Sequence, residues 1–110
     1  MRTKSDVGSL IYGHPSIDIK LEDRVLSHLQ VVFSEKLRRN EAFHFSWADS
    51  DLLGGGRSTV WVHPAIPLYF RYAGSRVPSL NSAWLEEMTR GINSSVGLVL
   101  RDEPHGNGKS

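Results

Sequence analysis

A chain of 110 residues has room for one hydrophobic core and not two, and a content of 39% hydrophobic and 23% charged residues excludes an intrinsically disordered polymer. The net charge of +1 implies no polyanion partner by itself, and the lack of cysteine excludes a disulfide framework, thiolate zinc sites and thiol catalysis. No apolar run approaches the roughly 18–20 residues that cross a bilayer, and the charged opening Met1–Asp6 leads into no apolar signal core, so no membrane partner and a cytoplasmic address are expected.

Residues 1–7 and 104–110 carry no periodicity and are expected to be disordered tails, which leaves residues 8–103 as a single domain without linker or repeat. Leu10–Tyr12 and Ile17–Leu21 read as short strands, with turn chemistry in Gly13-His14-Pro15-Ser16 between them. In the second strand Ile17, Ile19 and Leu21 share one side. Glu22 and Asp23 offer an acidic helix start. Val25, Leu26, Leu29, Val32, Phe33 and Leu37 then recur at three- and four-residue spacing, which predicts an amphipathic helix to about Arg39 with a stop at Asn40. His28 falls in mid-helix among polar neighbours. Lys36, Arg38 and Arg39 cluster at the helix end, where basic charge complements the macrodipole.

Three further strands follow. In Ala42–Trp47 the residues Phe43, Phe45 and Trp47 share a side, opposite His44 and Ser46. In Arg57–His63, Val60 and Val62 face away from Arg57, Thr59, Trp61 and His63. In Ile66–Tyr72, Tyr69 and Arg71 oppose the apolar set, and Pro67 marks an edge or irregular start. The glycines at 54–56 lead into a strand rather than a helix, so they read as a hairpin tip and not a phosphate loop. Asn81 is the expected N-cap of a second helix, with Leu80 and Leu85 placed as a hydrophobic staple. Trp84, Leu85, Met88 and Ile92 form its stripe, and Gly97–Arg101 reads as a closing strand. The order ββα βββ αβ predicts an α+β fold, a mostly antiparallel sheet of about six strands with two helices packed on one face.

No pattern among the five histidines matches metal-ligand spacing, and no nucleophile elbow occurs. No metal, cofactor or catalytic residue is therefore expected. The face opposite the helices is the richer feature, because alternation places His44, Ser46, Arg57, Thr59, Trp61, His63, Tyr69 and Arg71 there. No acidic residue lies between Asp51 and Glu86. Rings interleaved with guanidinium groups can stack bases and hold phosphates, with Lys36, Arg38 and Arg39 as further phosphate contacts. The same aromatics can instead cover a half-exposed sheet or pair it with another protein or a second copy. A hydrolase or transferase built from His44, His63 and Arg57 requires those groups to converge in a concave pocket.

Several runs together resemble a small actinobacterial domain family of unknown function: Leu10-Ile11-Tyr12-Gly13, residues 23–29, Lys36-Leu37-Arg38-Arg39, Phe45-Ser46-Trp47, residues 56–64, Ile66-Pro67-Leu68, residues 81–85 and Asn93-Ser94-Ser95. The likeness spans about residues 8–101. Similar segments are carried with ATP-dependent DNA ligases, whose name many stand-alone members have inherited. The resemblance thus implies a DNA-repair context, with an accessory domain that touches DNA or docks onto a ligase or another repair factor. It brings no catalytic residues. The ligase reaction needs the lysine of a K-x-D-G motif, and the nearest run, Lys4-Ser5-Asp6-Val7, has valine where glycine belongs. A chain of this length also has no room for the nucleotidyltransferase domain, so no ligase activity is expected.

Overall fold

The computed structural model describes residues 6–49 and 55–105. Strand β1 (Val7–Tyr12) forms an antiparallel hairpin with β2 (Ile17–Glu22), in a register that sets Leu10 opposite Ile19. Helix α1 (Asp23–Arg38) follows without a linker, its first N–H donated to the Asp6 carbonyl at 2.9 Å. Asp23 does not cap its own helix. Its carboxylate accepts the backbone N–H groups of Ala73 and Gly74 at 2.9 and 2.8 Å, which ties a distant turn to the helix start. At the other end Asn40 takes the left-handed conformation (φ 63°) that asparagine tolerates, and its N–H returns to the Leu37 carbonyl.

Strands β3 (Phe43–Ala48) and β4 (Arg57–Val62) form a second antiparallel hairpin, and β5 (Leu68–Arg71) starts just past Pro67. Helix α2 (Ser82–Ile92) begins on the expected cap, the Asn81 side-chain oxygen accepting from the N–H of Ala83 and Trp84. Strand β6 (Leu98–Val99) closes the order. Of the expected tails 1–7 and 104–110, residues 1–5 and 106–110 lie outside the described residues, as do loop residues 50–54, whereas Val7 already belongs to β1 and the Pro104 carbonyl accepts from Asn81 Nδ2.

The α+β class, two helices and six strands match the sequence reading, but the strands divide between two sheets instead of forming one. Sheet A has the order β2-β1-β5 and is antiparallel throughout. Sheet B has the order β4-β3-β6 and is mixed, because β6 runs parallel to β3. The division falls at residues 63–67, where Pro64 and Pro67 offer no N–H to a ladder and the chain turns so that β5 pairs with β1. A side chain bridges the gap. The Tyr12 hydroxyl donates to the Trp61 carbonyl at 2.6 Å and accepts the His63 N–H at 3.0 Å, standing where a neighbouring strand would pair.

The core lies between α1 and both sheets. Phe33 of α1 is wholly buried and meets Phe43, Phe45 and Phe70 edge-on, with ring centroids 4.8, 5.3 and 6.0 Å away, so one ring packs against both sheets. Leu26, Leu29 and Val32 complete the buried side of α1, while Trp84, Met88 and Ile92 bring α2 onto the same core. His28, expected among polar neighbours, is fully buried. Its Nε2 accepts the Asn81 N–H at 2.8 Å, an unambiguous donor, which leaves Nδ1 to carry the proton and donate to the Arg24 carbonyl at 2.7 Å. Around it Glu103 receives Arg24 Nε and Nη2, both at 2.7 Å, and Asn81 Nδ2 at 2.9 Å. This network pins α1, the start of α2 and the C-terminal segment together. Burial holds the His28 imidazole below its ordinary value, and the Arg24 hydrogen bonds hold the Glu103 carboxyl at about 2.

Candidate binding face

Exposure alternates along β4 and β5 and over most of β3 as the sequence pattern expects, but His63 falls outside β4 and the sheet division distributes the candidate residues over two surfaces. Tyr69 and Arg71 lie on the outer face of sheet A, opposite Ile11 and Ser9 of β1. Arg71 sits over the Tyr69 ring at 5.7 Å. Asp18 shares this face and is held below its ordinary range by the Ser9 hydroxyl first, and further by Lys20 and Arg71. Lys20 lies 3.3 Å from Asp18. Acid and base compensate each other there, so the face of sheet A is not a basic surface.

Sheet B differs. Its register sets His44 opposite Trp61, Ser46 opposite Thr59 and Ala48 opposite Arg57, with Val99 beside Ser46. None of these outer-face residues is acidic, and Arg57 forms no ion pair among the described residues. Trp61 is 51% exposed, and the His44 ring braces it edge-to-face at 4.7 Å. The Ser46 and Thr59 hydroxyls join at 2.7 Å across the strands. Gly97 (φ 83°) lets the chain pass close over His44, since a methyl group there would overlap the His44 backbone. Beside the Trp61–His44 pair lies an open polar cleft of about 220 Å³, reached also by Lys36, Asn93, Ser94 and Ser95.

Lys36 is only 12% exposed at that cleft. Its ammonium is 2.9 Å from Glu41 and 3.1 Å from the Asn93 side-chain oxygen, and it draws the Glu41 carboxyl below its ordinary range. Arg38 pairs with Glu35, and Arg39 with Glu35 and Glu41. The basic cluster therefore stabilises the end of α1 against its own acids. His63 stands beyond β4, where its Nδ1 accepts the Ala65 N–H at 3.0 Å and its carbonyl accepts from Ile66. That ring organises a turn. No hydrogen bond joins His44, His63 and Arg57 among the described residues, and no group of three potential metal ligands forms there.

The structure sets His44 against Trp61 with Lys36 at the margin of their cleft and carries Arg57 on the same face four residues along β4, while Tyr69 and Arg71 lie on the other sheet, His63 stands in the turn past β4, and Arg38 and Arg39 pair with acids at the end of α1. It adds Val99, which alternation turns away from inward Leu98 but only the pairing of β6 with β3 brings to this face, and the Asn93–Ser95 segment at the end of α2. The nearest approach to a ligase lysine motif, at Lys4, lies outside the described residues. No helix among the described residues is long and apolar enough to cross a membrane. Neither the curated proteins nor the solved structures contain a match to the chain. A family model described as a domain of unknown function, DUF7882, matches residues 7–103, nearly the whole of the fold built above, and the chain belongs to that family.

Proposed function

We propose that the domain is a non-catalytic binding module that contacts single-stranded nucleic acid through the outer face of sheet B. The supporting observation is Trp61, half exposed and braced by His44, on a face that also carries Arg57 four residues along β4 and that shows no acidic side chain and no ion pair of Arg57 among the described residues. A base stacks on an exposed indole whatever its identity, and each stacked base contributes about 1–3 kcal/mol. The electrostatic share is small, because one arginine meets one phosphate. Log affinity should then fall with log salt at a slope of about −0.7, as one single-strand phosphate releases its counterions. The proposal includes the setting that the resemblance implies, an accessory role in DNA repair beside an ATP-dependent ligase.

Fluorescence anisotropy of a labelled oligothymidylate at low salt tests this reading. Binding should weaken by about 1–3 kcal/mol in Trp61→Ala and lose its salt dependence in Arg57→Gln. Tyr69→Ala and Arg71→Gln should leave it unchanged. No binding at millimolar protein would sink the proposal.

One rival has its own support. Trp61 and Val99, at 51% and 37% exposure, share the face and would also suit a homodimer or a protein partner. That reading predicts mass that rises with concentration in light scattering, abolished by Trp61→Arg, with no affinity for the oligonucleotide.

A further inference from the structure

A second concave surface lies away from sheet B. It is a groove of about 390 Å³ between α1 and the extended segment that follows β5. From α1 come Ser27, Gln30 and Val31, spaced to share one flank; from the segment come Val77, Pro78 and Leu80. Val31, Val77 and Leu80 are 39%, 86% and 47% exposed. Three large apolar side chains are thus left facing water around one depression.

The segment is tied at both ends. Asp23 holds the N–H groups of Ala73 and Gly74, and Arg24 Nη1 donates to the Ser79 carbonyl at 2.8 Å. The His28 ring then receives the Asn81 N–H. The Tyr72 hydroxyl donates to Gln30 Oε1 at 2.6 Å and closes one side. None of the lining residues is acidic. The single charge is Arg76, which forms no ion pair among the described residues.

Apolar walls with one guanidinium that has no ion pair among the described residues select a ligand of matching polarity, an apolar chain that ends in a single anionic group. We propose that this groove binds a small amphipathic acid, of the medium-chain carboxylic acid class, with its chain along Val31, Val77 and Leu80 and its carboxylate on Arg76. The volume falls within the range of small-molecule sites, which are mostly apolar with a few placed polar groups. A carboxylate rather than a neutral head is chosen because an arginine fork pairs with it in two parallel hydrogen bonds.

Octanoate and decanoate, both below micellar concentration, are titrated into the isotopically labelled protein and followed by amide chemical shifts. Shifts should gather at residues 27–31 and 72–80. Each added methylene should tighten binding about fourfold, so decanoate should bind roughly 16-fold better than octanoate. Decanol should bind at least tenfold more weakly than decanoate. Arg76→Gln should abolish that preference for the acid, and Leu80→Asp should abolish binding. Arg38→Gln, on the far end of α1, should change nothing, and the dispersed spectrum of each variant verifies its fold. Shifts elsewhere, equal affinity for acid and alcohol, no dependence on chain length, or a concentration-dependent dimer that covers the groove would each overturn the proposal. This outcome is independent of the oligonucleotide result, because the two surfaces share no residue.

Discussion

Glu103→Gln removes the charge on which the Arg24–Asn81–His28 network closes. The native carboxylate accepts Arg24 Nε and Nη2, each at 2.7 Å, and Asn81 Nδ2 at 2.9 Å, so Arg24 holds it at about 2 against an ordinary 4.5. That difference corresponds to at most about 3.4 kcal/mol. Water competes for the pair, since the side chains of Arg24 and Glu103 remain 37% and 29% exposed, and screening of this kind reduces the contribution to about 1–2 kcal/mol. A depressed carboxyl stabilises the fold above its unfolded value and loses that contribution as pH falls from 4.5 towards 2. Urea unfolding at neutral pH should therefore show the variant about 1–2 kcal/mol less stable, with a melting point lower by roughly 5–10 °C. The gap between variant and wild type should close as pH falls through that window, because a protonated glutamic acid and a glutamine are then equivalent in charge. Equal stability at neutral pH, or a gap that persists unchanged in acid, would refute this account of the network.

Three other perturbations test separate parts of the structure. Phe33→Ala empties the contact shared by α1 and both sheets and should cost about 3–5 kcal/mol in equilibrium unfolding; a loss under 1 kcal/mol would show that the two sheets do not share this ring. Tyr12→Phe strips the partner from the Trp61 carbonyl and His63 N–H, which should cost about 1–3 kcal/mol and speed amide exchange at His63, whereas unchanged protection there would contradict the bridge. His28 should stay neutral with its proton on Nδ1 below pH 6.5, because burial lowers its folded value and Nε2 must accept from Asn81. Stability from this residue is complete above the unfolded value and is lost as pH falls from 6.5 through the lower folded value; an imidazole that titrates at or above 6.5 by NMR would contradict the assignment.

Local periodicity carried much of the fold. The three- and four-residue recurrence from Leu26 to Phe33 defined α1, the side-chain oxygen of Asn81 defined the start of α2, and strict alternation set which side of its strand His44, Trp61 or Tyr69 occupies. These properties depend on residues within a turn or two of each other, so the chain alone determines them. Partnership between distant strands does not. Two strands with the same alternation can lie in one sheet or in two, and prolines at 64 and 67 together with the Tyr12 hydroxyl decided for two. That choice removed Tyr69 and Arg71 from the surface of Trp61. Charge compensation at the end of α1 was in part local, since Glu35 lies one turn before Arg38 and Arg39 and Glu41 follows just after them, whereas the Lys36 contact with Asn93 depends on α2 packing beside α1. His28 reads as one more polar residue on an exposed stretch until α2 and the C-terminal segment close over it, because burial is a property of packing and not of neighbours in the chain.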